Sequence, residues 1–415
     1  MKKGQRFDFA YAMDYAEIES DIDYIDLMKV PLYRSEERLF FLDSGEHLID
    51  FLDLIYIRAI NNITYGLKYC GKITNISANA FMVKDVEENR EYYLLRPKIP
   101  LYHGAEVGLL GTYTSAEDTI TNTVMSIDGS FPFPDGTRII SQFAYSIMNE
   151  TEVARDFAYC LNFSRKPTRG FRINCTYAAI RPDFSTLMGF VPLSGLNEFG
   201  VKAQYALFMN KPPLTSITLS VSYRYWELND ALYIKDITSS IPIQFINNLT
   251  ITPYAIVGSL GERENKYGKI DVSYNPGGWN KISLGYLFGK YCDSQMNYPY
   301  LSFQYKPFRI LECAMDVEYQ NCVFRDTVEE NLIITFRGGA KVIGSFGIKH
   351  FIQWSDITNT LQTNILLKYD FSVFSHIYLG FNQTVPSQEF TWRDILASEE
   401  YVILLKVVHC FDYAM

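Results

Sequence analysis

Glu17, Glu19, Asp21 and Asp23 stand at alternate positions near the start of the chain. On an extended backbone such residues share one face, with about 7 Å between neighbours. A row of carboxylates at that spacing can hold a divalent cation through oxygen ligands or repel anions at a pore mouth. A solvated or lumen-facing strand end is the plainer reading and carries more weight. A second set, Glu312, Asp316, Glu318 and Gln320, recurs at even positions of one later segment, with Lys368 and Asp370 in another. Asp316 with Glu318 has the composition of a glycoside hydrolase pair, which needs two carboxyls at a defined separation across a bound sugar. Any polar barrel interior supplies such pairs. Catalysis is therefore the minor reading, and a polar lumen wall whose charge Arg337 and Lys349 tune is the major one. His47, His103, His350, His376 and His409 show no HxxxH or HxH spacing, so no metal centre is expected. There is no GxSxG, no P-loop and no GxGxxG after a strand, so no cofactor is expected either.

The elements that would carry these residues are strands. From Ile217 to Tyr225 every odd residue is apolar or aromatic and every even one polar, the period of a strand with one oily and one wet face. The pattern recurs at 201–209, 270–274, 282–288, 301–305, 311–319 and 361–371. A soluble sandwich alternates too, so the connections decide. Tight turns are expected at Lys211-Pro212-Pro213, Asn247-Asn248, Pro276-Gly277-Gly278, Pro307-Phe308, Gly338-Gly339 and 371–375. Longer polar loops are expected at 261–266, 293–297, 321–329 and 382–397. Short turns at one rim and long loops at the other are the habit of bacterial outer-membrane barrels, and roughly 20 segments suit one large, porin-like barrel.

Composition agrees. The 415 residues include 31 Tyr and 29 Phe, suited to the aromatic girdles of a membrane barrel. Mean hydropathy is −0.06, as expected where lumen-facing polar residues offset lipid-facing apolar ones, and no apolar run approaches the roughly 20 residues of a spanning helix. The net charge of −9 offers no basic stripe for nucleic acid. Seven cysteines show no CxxC spacing. Cys313 and Cys322, nine apart, would face opposite sides of one strand, and the set reads as small apolar fillers. Met1-Lys2-Lys3 is followed by Gly-Gln-Arg-Phe-Asp and not by an apolar stretch, so a signal peptide is expected upstream. Counting back from Tyr401–Phe411 gives about 21 strands, the first over 7–18; since single-chain bacterial barrels have even counts, a further strand is expected upstream as well.

Residues 14–62 break the alternation. Asp14-Tyr15-Ala16-Glu17-Ile18-Glu19-Ser20-Asp21 is followed by Ser35-Glu36-Glu37-Arg38-Leu39-Phe40-Phe41-Leu42-Asp43, then Tyr56-Ile57-Arg58, then Gly71-Lys72. This order resembles the barrel domain of a family of outer-membrane proteins common in Bacteroidetes. Those proteins usually carry an upstream family-9 carbohydrate-binding-like domain, and their barrels show N-P-D-F-S-Q-V-E-x-D, P-E-K-R-P-F-F-L-E, Y-S-R-R-I-G and G-K. Pro182-Asp183-Phe184 and Gly189-Phe190-Val191 match the family's P-D-F and G-F-V. The chain departs at Ala12-Met13, where the family has Asn-Pro, and at Arg58-Ala59-Ile60-Asn61, where it has Arg-Arg-Ile-Gly. The resemblance implies a barrel of no assigned reaction and, through the upstream domain, an association with glycans.

The sequence therefore predicts an all-β chain, residues 1–415 forming one antiparallel transmembrane β-barrel of about 20–22 strands in the bacterial outer membrane. Residues 22–62 are expected to fold against or into the lumen, with Asp14, Tyr15, Glu36, Arg38, Phe40, Phe41, Asp43 and Arg58 as its distinctive residues and Glu312, Asp316, Glu318 and Arg337 on the lumen wall. The expected role is a channel or transport pore, or an anchor for a glycan-binding module. Outer-membrane lipid is the expected partner, with glycans reached through an upstream domain. The alternative is an outer-membrane hydrolase of polysaccharide or lipid.

Overall fold

A computed structural model describes residues 5–13, 33, 39–42, 50–60, 63–86, 89–116, 119–167, 170–191, 193–209, 212–324, 327–343, 345–372, 375–386 and 401–408. The first ten strands are β1 (Gln5–Met13), β2 (Ile63–Ile73), β3 (Ile76–Asp85), β4 (Arg90–Pro100), β5 (Glu106–Ala116), β6 (Ile120–Pro132), β7 (Thr137–Asn149), β8 (Val153–Arg165), β9 (Gly170–Ile180) and β10 (Leu196–Phe208). They are followed by β11 (Leu214–Leu228), β12 (Ala231–Ser240), β13 (Ile243–Phe245), β14 (Leu249–Leu260), β15 (Arg263–Tyr274), β16 (Lys281–Tyr291) and β17 (Ser294–Phe308). The last are β18 (Leu311–Phe324), β19 (Thr327–Ile343), β20 (Phe346–Ser355), β21 (Thr360–Ser372), β22 (Ser375–Pro386) and β23 (Tyr401–Val408). All belong to one antiparallel sheet in which each strand pairs with its neighbours in sequence. Among the described residues no helix is long and apolar enough to cross a membrane.

β12 and β13 each pair with β11 on one side and β14 on the other. They are one stave broken at Ile241-Pro242, where proline has no N–H to give the ladder. Among the described residues the 23 strands thus make 22 staves. An even count brings Gln5 and Val408 to the same rim.

The turns correct part of the expectation. The pairs Leu260↔Arg263, Tyr291↔Ser294 and Phe324↔Thr327 carry the ladder to within two residues of the chain reversal. The polar stretches at 261–266, 293–297 and 321–329 are strand ends, not long loops. Polarity there marks where the strands leave the apolar belt, and the reversals take positive φ, which Gly261 at 59° and Asp293 at 65° accommodate readily and Cys292 at 48° does not. Gly338-Gly339 is no turn; it lies inside β19 opposite Cys313 and Glu312. The long connections, 14–62, 181–195 and 387–400, all leave from the rim opposite the two chain ends.

Alternation sorts the two faces as anticipated. On β11, Leu219 and Val221 are exposed, while Ser220 between them and Ser216 on the same even-numbered face are buried toward the interior. The buried apolar core lies inside the barrel. It joins inward residues of β3–β8, such as Phe81, Val83, Leu110, Val124 and Ala158, to Phe40, Phe41, Leu52, Leu54, Ile60, Phe184 and Met188 from the connections.

Candidate functional site

The inner face of the first nine staves is where the unusual residues gather, and three contacts build the site. Phe40 and Phe41 lie in a single helical turn, Leu39–Leu42. Phe41 packs edge-on against Phe81 at 5.6 Å and Phe40 against Phe41 at 4.9 Å. Lys68, inward on β2 and only 1% exposed, donates its ammonium to the Phe40 carbonyl, pairs with Asp8 Oδ2 at 3.0 Å and sits 5.0 Å from the Phe40 ring. Gly66 makes room: a Cβ there would lie 3.3 Å from the Phe40 ring.

The second contact centres on Asp50, whose carboxylate accepts hydrogen bonds from the backbone N–H groups of Leu52, Leu54 and Ile55 at 2.9, 3.0 and 3.1 Å. Burial pushes its pKa up to about 6; the Leu54 and Leu52 N–H groups and the nearby Arg96 charge pull the other way and do not overcome it. The Phe51 N–H donates to Gln142 Oε1 at 2.7 Å, and Gln142 Nε2 in turn donates to Ser126 Oγ at 2.9 Å. Beneath lies a buried ion pair, Arg96 with Asp128. Gly108 admits it, since a Cβ would stand 2.8 Å from both Arg96 Nη1 and Asp128 Oδ2. Losing one partner of such a pair costs about 3–5 kcal/mol because the other is left charged and buried.

The third contact ties the connection before β10 to the inserted segment. The Tyr56 N–H donates to the Met188 carbonyl at 2.6 Å and the Phe190 N–H to the Asp53 carbonyl at 2.7 Å. Tyr33, Tyr56 and Phe190 form a ring cluster with centroids 5.0–5.4 Å apart. Gly189 is required by the approach: a Cβ would meet Thr186 Cγ2 at 2.6 Å and the Asp53 carbonyl oxygen at 2.9 Å. Asn122, inward on β6, binds the connection at both ends of its amide, accepting from Leu187 N–H at 3.1 Å and donating to the Ser185 carbonyl at 3.1 Å. The stretches Tyr56-Ile57-Arg58, Pro182-Asp183-Phe184 and Gly189-Phe190-Val191, distant in sequence, thus converge. Arg58 sits in the short 3-10 turn Ile57–Ala59 beside them.

Asp14, Tyr15, Glu17, Glu19, Asp21, Asp23, Glu36, Arg38 and Asp43 lie outside the described residues. Glu312, Asp316, Glu318 and Arg337 all take the inward parity of β18 and β19. Arg337 pairs with Asp316 across the two strands, and Lys306 reaches Glu312 at 3.2 Å. Glu318 accepts from Tyr298 Oη at 2.8 Å. The same wall continues as Lys269–Asp271 at 3.2 Å, Arg224–Asp236 at 2.5 Å and Lys368–Asp370 at 2.9 Å, with Tyr300 donating to Asp271. The Tyr300 ring occupies the space beside Gly285, where a Cβ would come within 2.0 Å of it. The interior therefore has two characters: a wall on β3–β8 whose buried apolar residues and buried polar ones such as Arg96, Asn122, Asp128 and Gln142 are covered by the inserted residues, and a wall of more accessible paired charges and tyrosines on β11–β22.

Sequence reasoning missed Asp50, Arg96, Asn122, Asp128 and Gln142. Arg96, Asn122, Asp128 and Gln142 had a usable signal, their shared inward parity on β4, β6 and β7. Asp50 had none, because its role depends on which N–H groups the chain brings around it.

No protein-family model matches the chain, and no curated protein matches it. Among solved structures, the siderophore receptor PirA from Pseudomonas aeruginosa is similar over 78% of this chain and 78% of its own, with a TM-score of 0.53 and 9% identity. The siderophore receptor PirA from Acinetobacter baumannii aligns with 83% of this chain and 78% of its own at a TM-score of 0.49 and 10% identity. The ferric citrate transporter FecA aligns with 77% of this chain and 63% of its own at 0.33 and 10%. The fold is that of a large outer-membrane β-barrel.

Proposed function

We propose that this chain is a bacterial outer-membrane barrel that passes polar or charged solutes, and that residues 22–62, held in place by the 181–191 connection, act as a plug on one side of its lumen. The observation that carries this is the division of the interior: Phe41, Leu54, Ile60 and Met188 are fully buried against the wall, while the remaining staves present paired charges inward. A barrel of 22 staves encloses a lumen wide enough to conduct unless something fills it. The likeness to a siderophore receptor supports uptake as the class of activity, and the mixed-sign wall suits a hydrophilic solute. Deleting 22–62 tests it in planar bilayers, with heat-modifiable gel migration confirming a folded barrel. Conductance rises if the segment plugs the lumen; an unchanged conductance sinks the proposal.

A second reading, that the barrel anchors an upstream glycan-binding module, is favoured by one observation: the motifs shared with the family-9-associated barrels come together at Tyr56, Phe184 and Gly189–Phe190. Finding a sandwich domain encoded upstream of Met1 would support it. For the hydrolase alternative, Asp316 and Glu318 are the relevant pair. Both are tied into the wall by Arg337 and Tyr298, an arrangement that supports a structural wall over an acid and nucleophile.

A further inference from the structure

We infer that the inner wall around Gly347, at the rim that carries the chain ends, binds a phosphate-bearing anion; that such anions are the solutes taken up rests on the pore reading above. The first observation is a charge step along the wall. Register sets the inward residues of β16–β22 in rows. From the chain-end rim up to the row of Arg337 these rows carry six cations, Lys281, Lys306, Arg337, Lys341, Lys349 and Lys368, against two carboxylates, Glu312 and Asp370. Beyond that row, among the described residues, they carry Asp316, Glu318 and Glu329 and no Lys or Arg. Even with Arg337 balanced by Asp316, the chain-end rows keep a net positive charge in a chain whose own net charge is −9. Walls of one sign inside a lumen focus the field and concentrate the opposite charge.

The second observation is where three of these cations stand. Gly347 is inward on β20, with Lys341 opposite it on β19 and Lys368 opposite it on β21. Cross-strand neighbours lie about 5 Å apart, and Lys349, two residues along β20, is about 7 Å away. At their centre the wall has no side chain: a Cβ on Gly347 would find only the Ala340 carbonyl oxygen, at 3.7 Å, within reach. Three ammonium groups on flexible four-carbon stems thus surround an open spot. Lys341 and Lys349 are exposed, and the charges of Lys349 and Lys368 both act on the Tyr378 hydroxyl, opposite Lys368 on β22. Asp370, one row nearer the rim, is shared between Lys368 at 2.9 Å and His376 Nδ1 at 2.5 Å. A singly charged anion satisfies one lysine. A phosphate group, with three acceptor oxygens and close to two charges, matches three donors, and rings of lysine line anion and phosphate pores for this reason.

The test is equilibrium dialysis of the full chain, folded in a phosphate-free detergent, against radiolabelled tripolyphosphate at low salt, with heat-modifiable migration checking each fold. Saturable binding is expected, weakening as KCl is raised. Lys341→Gln, Lys349→Gln and Lys368→Gln should each weaken it about tenfold, the scale of one hydrogen bond to a charged group, while Lys349→Arg should retain it. Gly347→Asp should abolish it, because the new carboxylate would engage the lysines itself. Lys202→Gln, which removes an inward cation on β10, should leave it unchanged. A folded chain without saturable binding would overturn the proposal. So would a loss with Lys202→Gln as large as with Lys349→Gln, the mark of diffuse attraction. Binding through these lysines in a chain that stays non-conducting after removal of 22–62 would support the site and remove the pore reading instead.

Discussion

Asp50 concentrates the physics of the inner site. Its carboxyl holds three backbone N–H groups yet is buried beside Asp53, Arg96, Lys98, Asp128 and Cys160. With the docked value raised from 3.8 to about 6, the docked state binds the proton more tightly than the released one. Docking is thus strongest at low pH and weakens as pH climbs through about 4 to 6, by about 3 kcal/mol at 1.36 kcal/mol per unit. Protease cleavage within 43–62 should rise across that window, and Asp50→Asn should flatten the dependence; an unchanged profile in the variant would assign the titration elsewhere. Gly189→Ala makes a separate prediction. Its methyl would press on Asp53 and Leu54, where overpacking costs about 1–3 kcal/mol, so the 181–191 connection should become protease-sensitive while the barrel still migrates as folded. Neither role was legible beforehand, because a carboxylate amid a non-alternating stretch and a glycine in a short motif show their purpose only when their neighbours are known.

At the level of single strands the sequence was far more transparent. Outward Ile217, Leu219, Val221 and Tyr223, and Leu361, Ile365 and Leu367 on β21, follow from period-2 parity alone. Leu219→Arg should therefore cost about 2–4 kcal/mol of folding stability if the site faces mid-bilayer, measured by denaturant titration in lipid vesicles; a tolerated arginine would move β11 out of the membrane. Loop lengths were misjudged for a physical reason. Polar residues end the apolar belt but not the hydrogen-bonded ladder, so strands such as β18 and β19 stay paired out to Phe324 and Thr327. The break at Ile241-Pro242 leaves one stave in two pieces, β12 and β13, which the sequence reading did not separate.

For the whole molecule, the prediction concerns the lumen. Leu54→Asp places a second carboxylate next to Asp50 in a site with no exposure at Leu54, a burial whose cost per charge is several kcal/mol. Undocking of the segment should follow, and bilayer conductance should approach that of the 22–62 deletion; a conductance like the parent's would mean that the wall, and not the segment, limits flow. The sequence by itself determined the all-β class, the strand faces and a count near 22, because the side-chain alternation of a strand is local and every stave repeats it. It also marked residues 14–62 as foreign to that rhythm. Only the tertiary structure decided that Asp50, Arg96, Gln142 and Asn122 share one interior site, that Tyr56 meets Gly189–Phe190, and that Lys341, Lys349 and Lys368 surround Gly347. Those neighbours are set by inter-strand register and by where the connections fold back, and both depend on contacts between residues far apart in the chain.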